Sequence, residues 1–302
     1  MFISETQVVL PLLNDNHIEV VDIHTGSVTR LTLPPKYAKK GGFVESVRVP
    51  PLAEFWVSQM MASAVHRFDT ATLQYKDSID LKGKWTKVLA YDSARNTVYA
   101  SNWTSSDISV IPLTTLKEEH RIKMNGVPRG MAFSKDGEYM VAAIFGGKND
   151  SDSSGRAVKI DLAKEKILQT IIPGGAQRHV VRLKEGENRF AVSDMARSRV
   201  FFIDDYKKSD EIKVYNNPNT IVESPDGKFL YVSCRGRNNP KSYLLKGFDF
   251  GRLLVIDLIT RQIVESIEAG NQPTGLDVSP SGRYVALTDF LDHAIRVYER
   301  VL

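Results

Sequence analysis

Apolar and polar positions alternate along this chain in short runs of four to seven residues, and the runs return in the same order. "GVPRGMAFSKDGEYMVAAI", "YNNPNTIVESPDGKFLYVSC" and "NQPTGLDVSPSGRYVALTD" each read as a strand, a tight turn and a second strand. Asp136-Gly137, Asp226-Gly227 and Ser281-Gly282 supply the backbone freedom a hairpin turn needs. Weaker copies are "FVESVRVPPLAEFWVSQ", "KWTKVLAYDSARNTVYASN" and "AQRHVVRLKEGENRFAVSD". A third strand follows each pair ("HRFD", "VKID", "FFID", "LVID"), and then a fourth ("YKDSIDL", "KILQTII", "QIVESIEA"). Helical periodicity is nowhere sustained.

With Ser46, Lys87, Gly130, His179, Thr220 and Gly275 as equivalent anchors, the spacings are 41, 43, 49, 41 and 55 residues. Four strands per unit at intervals of about 40–50 residues mark the blade of a β-propeller. The pattern predicts an all-β chain: one seven-bladed propeller of four-stranded antiparallel blades over 1–302, with blades at 1–43, 44–84, 85–127, 128–176, 177–217, 218–272 and 273–302. The last unit stops after its third strand, "AIRVYERVL", and the first begins part-way through its innermost strand, at "MFIS". The seam is therefore expected to be incomplete at blade seven. Upstream residues of a longer precursor would be well placed to supply the outer strand, and an upstream domain in the same precursor is an expected partner.

The run "LLVIDLITRQIVESIEAGNQPTGLDVSPSGRYV", with "YVSC" before it, resembles the YVTN repeat of bacterial and archaeal seven-bladed propellers. The resemblance covers the whole chain. It is sharp in the units starting at 128, 218 and 273 and faint in the unit at 44, where the S-P-D-G turn is lost. It implies a fold and carries no catalytic residue. Proteins similar in repeat include surface-layer and surface-antigen modules, often preceded by an immunoglobulin-like domain.

In such a fold, the loops leading into each inner strand and those between second and third strands share one face. The first set presents Glu45, Thr86, Arg129, Arg178, Asn219 and Thr274 near the central channel, and the second holds both long insertions, 145–156 and 234–252. Long loops on a rigid scaffold suggest a binding surface. Blades four to six load that face with cations: Arg129, Arg178, His179, Lys148, Arg156, Arg197, Arg199, Arg235, Arg237, Lys241, Lys246 and Arg252. Trp85, Trp103, Phe145, Tyr243 and Phe248 lie nearby. The bland reading is solvated loop charge beside a water-filled channel. The sharper one is a ligand site for a protein or a small anion, made by Arg129, Arg178, His179, Arg197, Arg235, Arg237 and Trp103, with guanidinium forks reaching a carboxylate or phosphate.

Composition narrows the partners. The chain is 42% hydrophobic and 25% charged, and 40 Lys+Arg against 36 Asp+Glu leave only +4 over 302 residues. That gives little counterion-release drive, so no nucleic-acid partner is expected. No run approaches the length of about 18 apolar residues that spans a bilayer, so no transmembrane segment is expected. No signal peptide is visible. Cys234 is the single cysteine, expected to be buried and inert at a strand end.

No His pair has metal-ligand spacing. "NDSDSSG" at 149–155 lacks the Glu that would close a calcium loop, and no metal or cofactor is expected. "FGGK" and "IPGGAQR" read as turns, not phosphate loops, and there is no G-x-S-x-G nucleophile elbow. A haem-d1 propeller would need an eighth blade and an axial histidine. The expected function is a non-enzymatic binding or scaffold propeller of a bacterial cell-surface or periplasmic protein. Cytoplasmic residence is the alternative location. The alternative function is a lactonase-like hydrolase of an anionic sugar lactone, with His179 moving the proton.

Overall fold

The computed structural model describes residues 1–146 and 154–300; the loop cation Lys148 and most of "NDSDSSG" lie outside them. Seven antiparallel sheets are arranged as the blades of a propeller, each ordered outwards from the central channel. Blade two is representative: Phe43–Val49, Glu54–Gln59, Ala64–Asp69 and Tyr75–Asp80 pair in sequence order.

Blades pack face to face, so the second strands are buried on both sides. Glu54–Gln59 and Thr97–Asn102 are buried at every position, and this is why they read as near-continuous apolar runs. The core is accordingly a ring of inter-blade clusters. One sits between blades three and four, with Tyr99, Ile108, Met131, Phe133 and Met140. The outermost strands show the opposite pattern, Gln262–Glu268 being open to water almost throughout.

The repeated turn is a hydrogen-bonded device. The hydroxyls of Ser134, Ser224 and Ser279 accept the amides of Tyr139, Phe229 and Tyr284 at 3.0, 2.9 and 3.1 Å. Ser134 and Ser224 also donate to Asp136 and Asp226, each at 2.5 Å. Gly137 and Gly227 both take φ +71° and Gly282 +82°, the left-handed region open to glycine. Where the S-P-D-G sequence is lost, Ala53 (φ 52°) and Asn96 (φ 48°) occupy that region instead.

The seam joins blades one and seven. Ile3 N donates to Gln7 O and Val9 N to Met1 O, so Met1–Ile3 form a short inner strand on Gln7–Pro11, the clipped strand expected. Phe2 N donates to Asp277 Oδ2 at 2.7 Å. Glu5 accepts from Ser279 Oγ, Ser281 N and Ser281 Oγ. Phe2 and Val8 pack on Tyr284 and Ala286. Blade seven has three strands among the described residues, ending with Ala294–Glu299.

Candidate functional site

Six inner strands carry the same β-bulge at their channel end, with register shifts at Phe43/Ser46, Thr86/Leu89, Pro128/Met131, Gln177/Val180, Pro218/Ile221 and Pro273/Leu276. A bulge re-aims side chains, and its conservation of position around the ring makes it the natural frame for a channel site. The first bulged residue is Val44, Lys87, Arg129, Arg178, Asn219 and Thr274 in turn. The second is Glu45, Val88, Gly130, His179, Thr220 and Gly275.

This register corrects two of the sequence anchors. Glu45 and Val88, not Ser46 and Lys87, are the equivalents of His179, and the first two spacings become 43 and 42 residues. Lys87 therefore stands where Thr86 was expected, in line with Arg129 and Arg178.

A hydroxyl near the end of the second strand fixes the bulge in five of these six blades. Glu45 N donates to Ser58 Oγ, Val88 N to Ser101 Oγ, His179 N to Ser193 Oγ, Thr220 N to Ser233 Oγ and Gly275 N to Thr288 Oγ1, all between 2.9 and 3.1 Å. Three of these hydroxyls donate onward to a carbonyl of the next blade: Ser58 to Lys87 O, Ser193 to Asn219 O and Ser233 to Thr274 O. Blade four is the exception, with Ala143 at this position and Gly130 in its bulge. A Cβ on Gly130 would lie 2.6 Å from Val180 N and 2.7 Å from His179 Cα, so blades four and five approach more closely than any side chain at 130 would allow.

On this frame, cations and aromatic rings alternate around one arc of the rim. The Lys87 ammonium lies 3.6 Å from the centre of the Trp103 ring, and the Arg129 guanidinium lies 3.8 Å from it. Arg129 also stands 5.3 Å from Phe145, and Arg178 5.7 Å from the same ring. Trp103 and Phe145 meet at 5.9 Å with their planes tilted by 53°. Arg178 Nε donates to Asn219 Oδ1, and Asn219 Nδ2 donates to Thr274 O at 3.0 Å. The arc thus runs from blade three to the edge of blade seven. Ring faces attract cations through the quadrupole and strip part of their water, so the arc presents positive charge that is already positioned and partly desolvated.

Two titratable groups share the channel. Burial, reinforced by the neighbouring Arg178 charge, depresses the His179 pKa to about 4. The ring is neutral near pH 7, and its Nδ1 has no hydrogen-bond partner among the described residues. Burial raises the Glu45 carboxyl to about 6, against the pull of the amino terminus and of Arg178. Asp277 lies near it on the seam side, 3.9 Å from Arg48. Among the described residues, the channel wall therefore carries Lys87, Arg129 and Arg178 along blades three to five, while at the seam Glu45 and Asp277 face the Met1 amino group and Arg48.

The seven expected ligand residues separate into groups. Trp103, Arg129, Arg178 and His179 come together at the rim. Arg197 is spent on the joint between blades five and four: Nε donates to Asp194 Oδ2 at 2.7 Å, Nη1 to Pro173 O and Nη2 to Gly174 O. Arg235 is buried at the end of the second strand of blade six, where desolvation lowers its pKa to about 10 while leaving it cationic. Arg237 is exposed and closes the base of the 235–251 loop through Asp249, at 3.1 Å from Nε. Cys234 is fully buried, and burial pushes its thiol pKa up.

No protein-family model matches the sequence. Among curated proteins, the chain is 49% identical over 302 residues to antigen Lp49 of Leptospira interrogans serogroup Icterohaemorrhagiae serovar copenhageni. The match takes in 99% of this chain and 66% of that protein, so the chain spans just under two thirds of its relative's length. Solved structures share the fold at low identity. Hydrazine synthase of Kuenenia stuttgartiensis superposes with a TM-score of 0.74 at 16% identity, over 99% of this chain and 94% of that one. A Bacteroides uniformis protein provisionally described as a 6-phosphogluconolactonase gives 0.72 at 16% identity, over 99% and 93%. These likenesses to solved structures establish the propeller fold, and the likeness to the Leptospira antigen is one of sequence.

Proposed function

We propose that this chain is a binding propeller of a bacterial cell-surface or periplasmic protein, built from YVTN-type repeats, and that it acts by contact, without catalysis. Its ligand is a carboxylate- or phosphate-bearing molecule, or an acidic segment of a protein, held on the loop-rich face at the channel rim. The observation that carries this reading is the arc Lys87–Trp103–Arg129–Phe145–Arg178, in which rings hold cations in place before any ligand arrives. Preorganised guanidinium groups lose less conformational freedom on engaging an oxyanion than flexible surface lysines do. The similarity to a protein known as an antigen supports exposure to antibodies, and hence display at the surface.

A lactonase-like hydrolase is the second reading. It is favoured by the neutral His179 ring at the rim and by fold neighbours described as lactonases. Against it, no carboxylate hydrogen-bonds the His179 ring among the described residues, and its Nδ1 has no partner there, so the charge that would stabilise an imidazolium is missing. The discriminating experiment is hydrolysis of δ-lactones of sugar acids, with and without a 6-phosphate, by the wild type and His179→Gln. The binding reading expects both proteins to match the uncatalysed rate. Turnover by the wild type that is abolished in His179→Gln would replace it with the hydrolase.

A further inference from the structure

The 235–251 insertion of blade six has an apolar tip. Of the fourteen large apolar side chains most open to water among the described residues, five fall in the eight positions 243–250: Tyr243, Leu244, Leu245, Phe248 and Phe250. Phe248 is 77% exposed. Three more, Leu13, Met61 and Trp85, sit in other loops of the same face.

The insertion is anchored on its neighbours by residues that alternate with these apolar ones, so its placement on this face is held by structure. Tyr215 Oη donates to Asp249 Oδ1 at 2.5 Å, Gly247 N to Asn271 Oδ1 at 2.9 Å, and Gln272 Nε2 to Asn238 Oδ1 at 2.8 Å. Lys246 pairs with Asp292 at 2.8 Å.

Charge is divided between the two faces in a way the net +4 conceals. Among the described residues, the loops of this face carry ten lysines and arginines against three acids, Asp15, Asp249 and Asp292. The loops of the opposite face carry nine against ten. Setting aside Arg197 and Arg235 as parts of the fold leaves the asymmetry in place.

We infer that this face docks on an anionic lipid surface, with Tyr243, Leu244, Leu245, Phe248 and Phe250 seated at the boundary of headgroups and acyl chains and Lys241 together with the lysines of loops 32–42 and 81–85 on the same face over the lipid phosphates. Aromatic and aliphatic tips on a basic face are the chemistry of an interfacial anchor. Clustered lysines and arginines next to apolar anchors are drawn to anionic headgroups over about a Debye length. A folded partner would have to offer a separate recess to each protruding side chain, whereas a fluid bilayer accepts protrusions of any spacing. The inference is independent of the channel rim.

The test is co-sedimentation of the whole chain with large unilamellar vesicles, of pure phosphatidylcholine or of phosphatidylcholine with phosphatidylglycerol. We expect partition to the anionic vesicles at least about tenfold above the neutral ones, falling as salt rises. Leu244→Ser with Phe248→Ser should reduce it by about tenfold or more, with an unchanged circular dichroism spectrum. In Phe248→Trp, brominated acyl chains should quench the new indole. Absence of vesicle binding by the wild type would overturn the inference, including where an acidic protein is bound instead. Binding abolished by salt but unaffected by the serine substitutions, with no quenching, would reduce the contact to charge adsorption and overturn insertion.

Discussion

Gly130→Ala is a one-carbon change that tests the geometry of blades four and five. The added Cβ would meet Val180 N at 2.6 Å, His179 Cα at 2.7 Å and His179 C at 3.0 Å, all main chain. Ordinary non-bonded carbon contacts lie near 3.5–4.0 Å, so the overlap is about 1 Å and no rotamer relieves it. Gly130 does not need a left-handed backbone. Elsewhere in a strand, alanine would even stabilise by about 0.4–1 kcal/mol through the unfolded chain. Overpacking of this kind costs about 1–3 kcal/mol, and we expect a net loss of about 1–2 kcal/mol.

At about 2 cal/mol/K per residue, a chain of 302 residues converts that to a fall of roughly 1.5–3.5 °C in Tm. Differential scanning calorimetry would read it. Gly247→Ala is the control, because its Cβ would meet nothing closer than Arg237 O at 3.4 Å and its backbone is not left-handed. Its loss should be smaller. Gly130→Ala melting within 1 °C of the wild type, or above it, would refute the argument that the close approach of these blades is what excludes a side chain.

Two further outcomes follow from buried groups. His66, fully buried between Gln59 Oε1 at 3.0 Å and Ser78 Oγ at 2.7 Å, has its pKa lowered to about 3 by burial, and His179 is lowered to about 4. The unfolded chain takes up protons below about 6.5 that these folded rings refuse, so stability is full above that pH and declines as pH falls towards 4. The slope approaches about 1.4 kcal/mol per pH unit for each histidine, with Glu45, raised to about 6, working in the opposite sense. Urea melts at pH 7.5 and 5.0 would check it, and equal stabilities would contradict it. Cys234, fully buried with a raised thiol pKa, should ignore Ellman's reagent in the native protein and react fully in denaturant.

What the sequence made legible followed from where its signals are local. Ser134, Asp136 and Gly137 make a turn from their own few residues, so their repetition at 224–227 and 279–282 revealed the blade. Where "PPLA" replaced that turn, nothing local marked the register, and the anchors at blades two and three slipped by one. The slip hid Lys87. A usable signal was present in Ser58, Ser101, Ser193, Ser233 and Thr288, each one residue before a strand end and each bonded to a bulge amide. Arg197 illustrates the opposite limit. Its type and loop position suggested a ligand contact, but its bonds to Pro173 O and Gly174 O of blade four are tertiary facts. The anchors of the 235–251 insertion come from the connections that follow the outer strands of blades five and six, about 20–40 residues distant, and no local pattern announces them.

The most direct test of the rim is calorimetric titration of the full chain with inorganic phosphate and with citrate at low ionic strength. The account predicts saturable binding to one site, weakened about tenfold or more by Arg129→Gln and by Arg178→Gln, and several-fold by Trp103→Leu, which keeps apolar bulk but removes the ring face that steadies Lys87 and Arg129. An absence of binding to either anion, or affinities unmoved by all three substitutions, would contradict it.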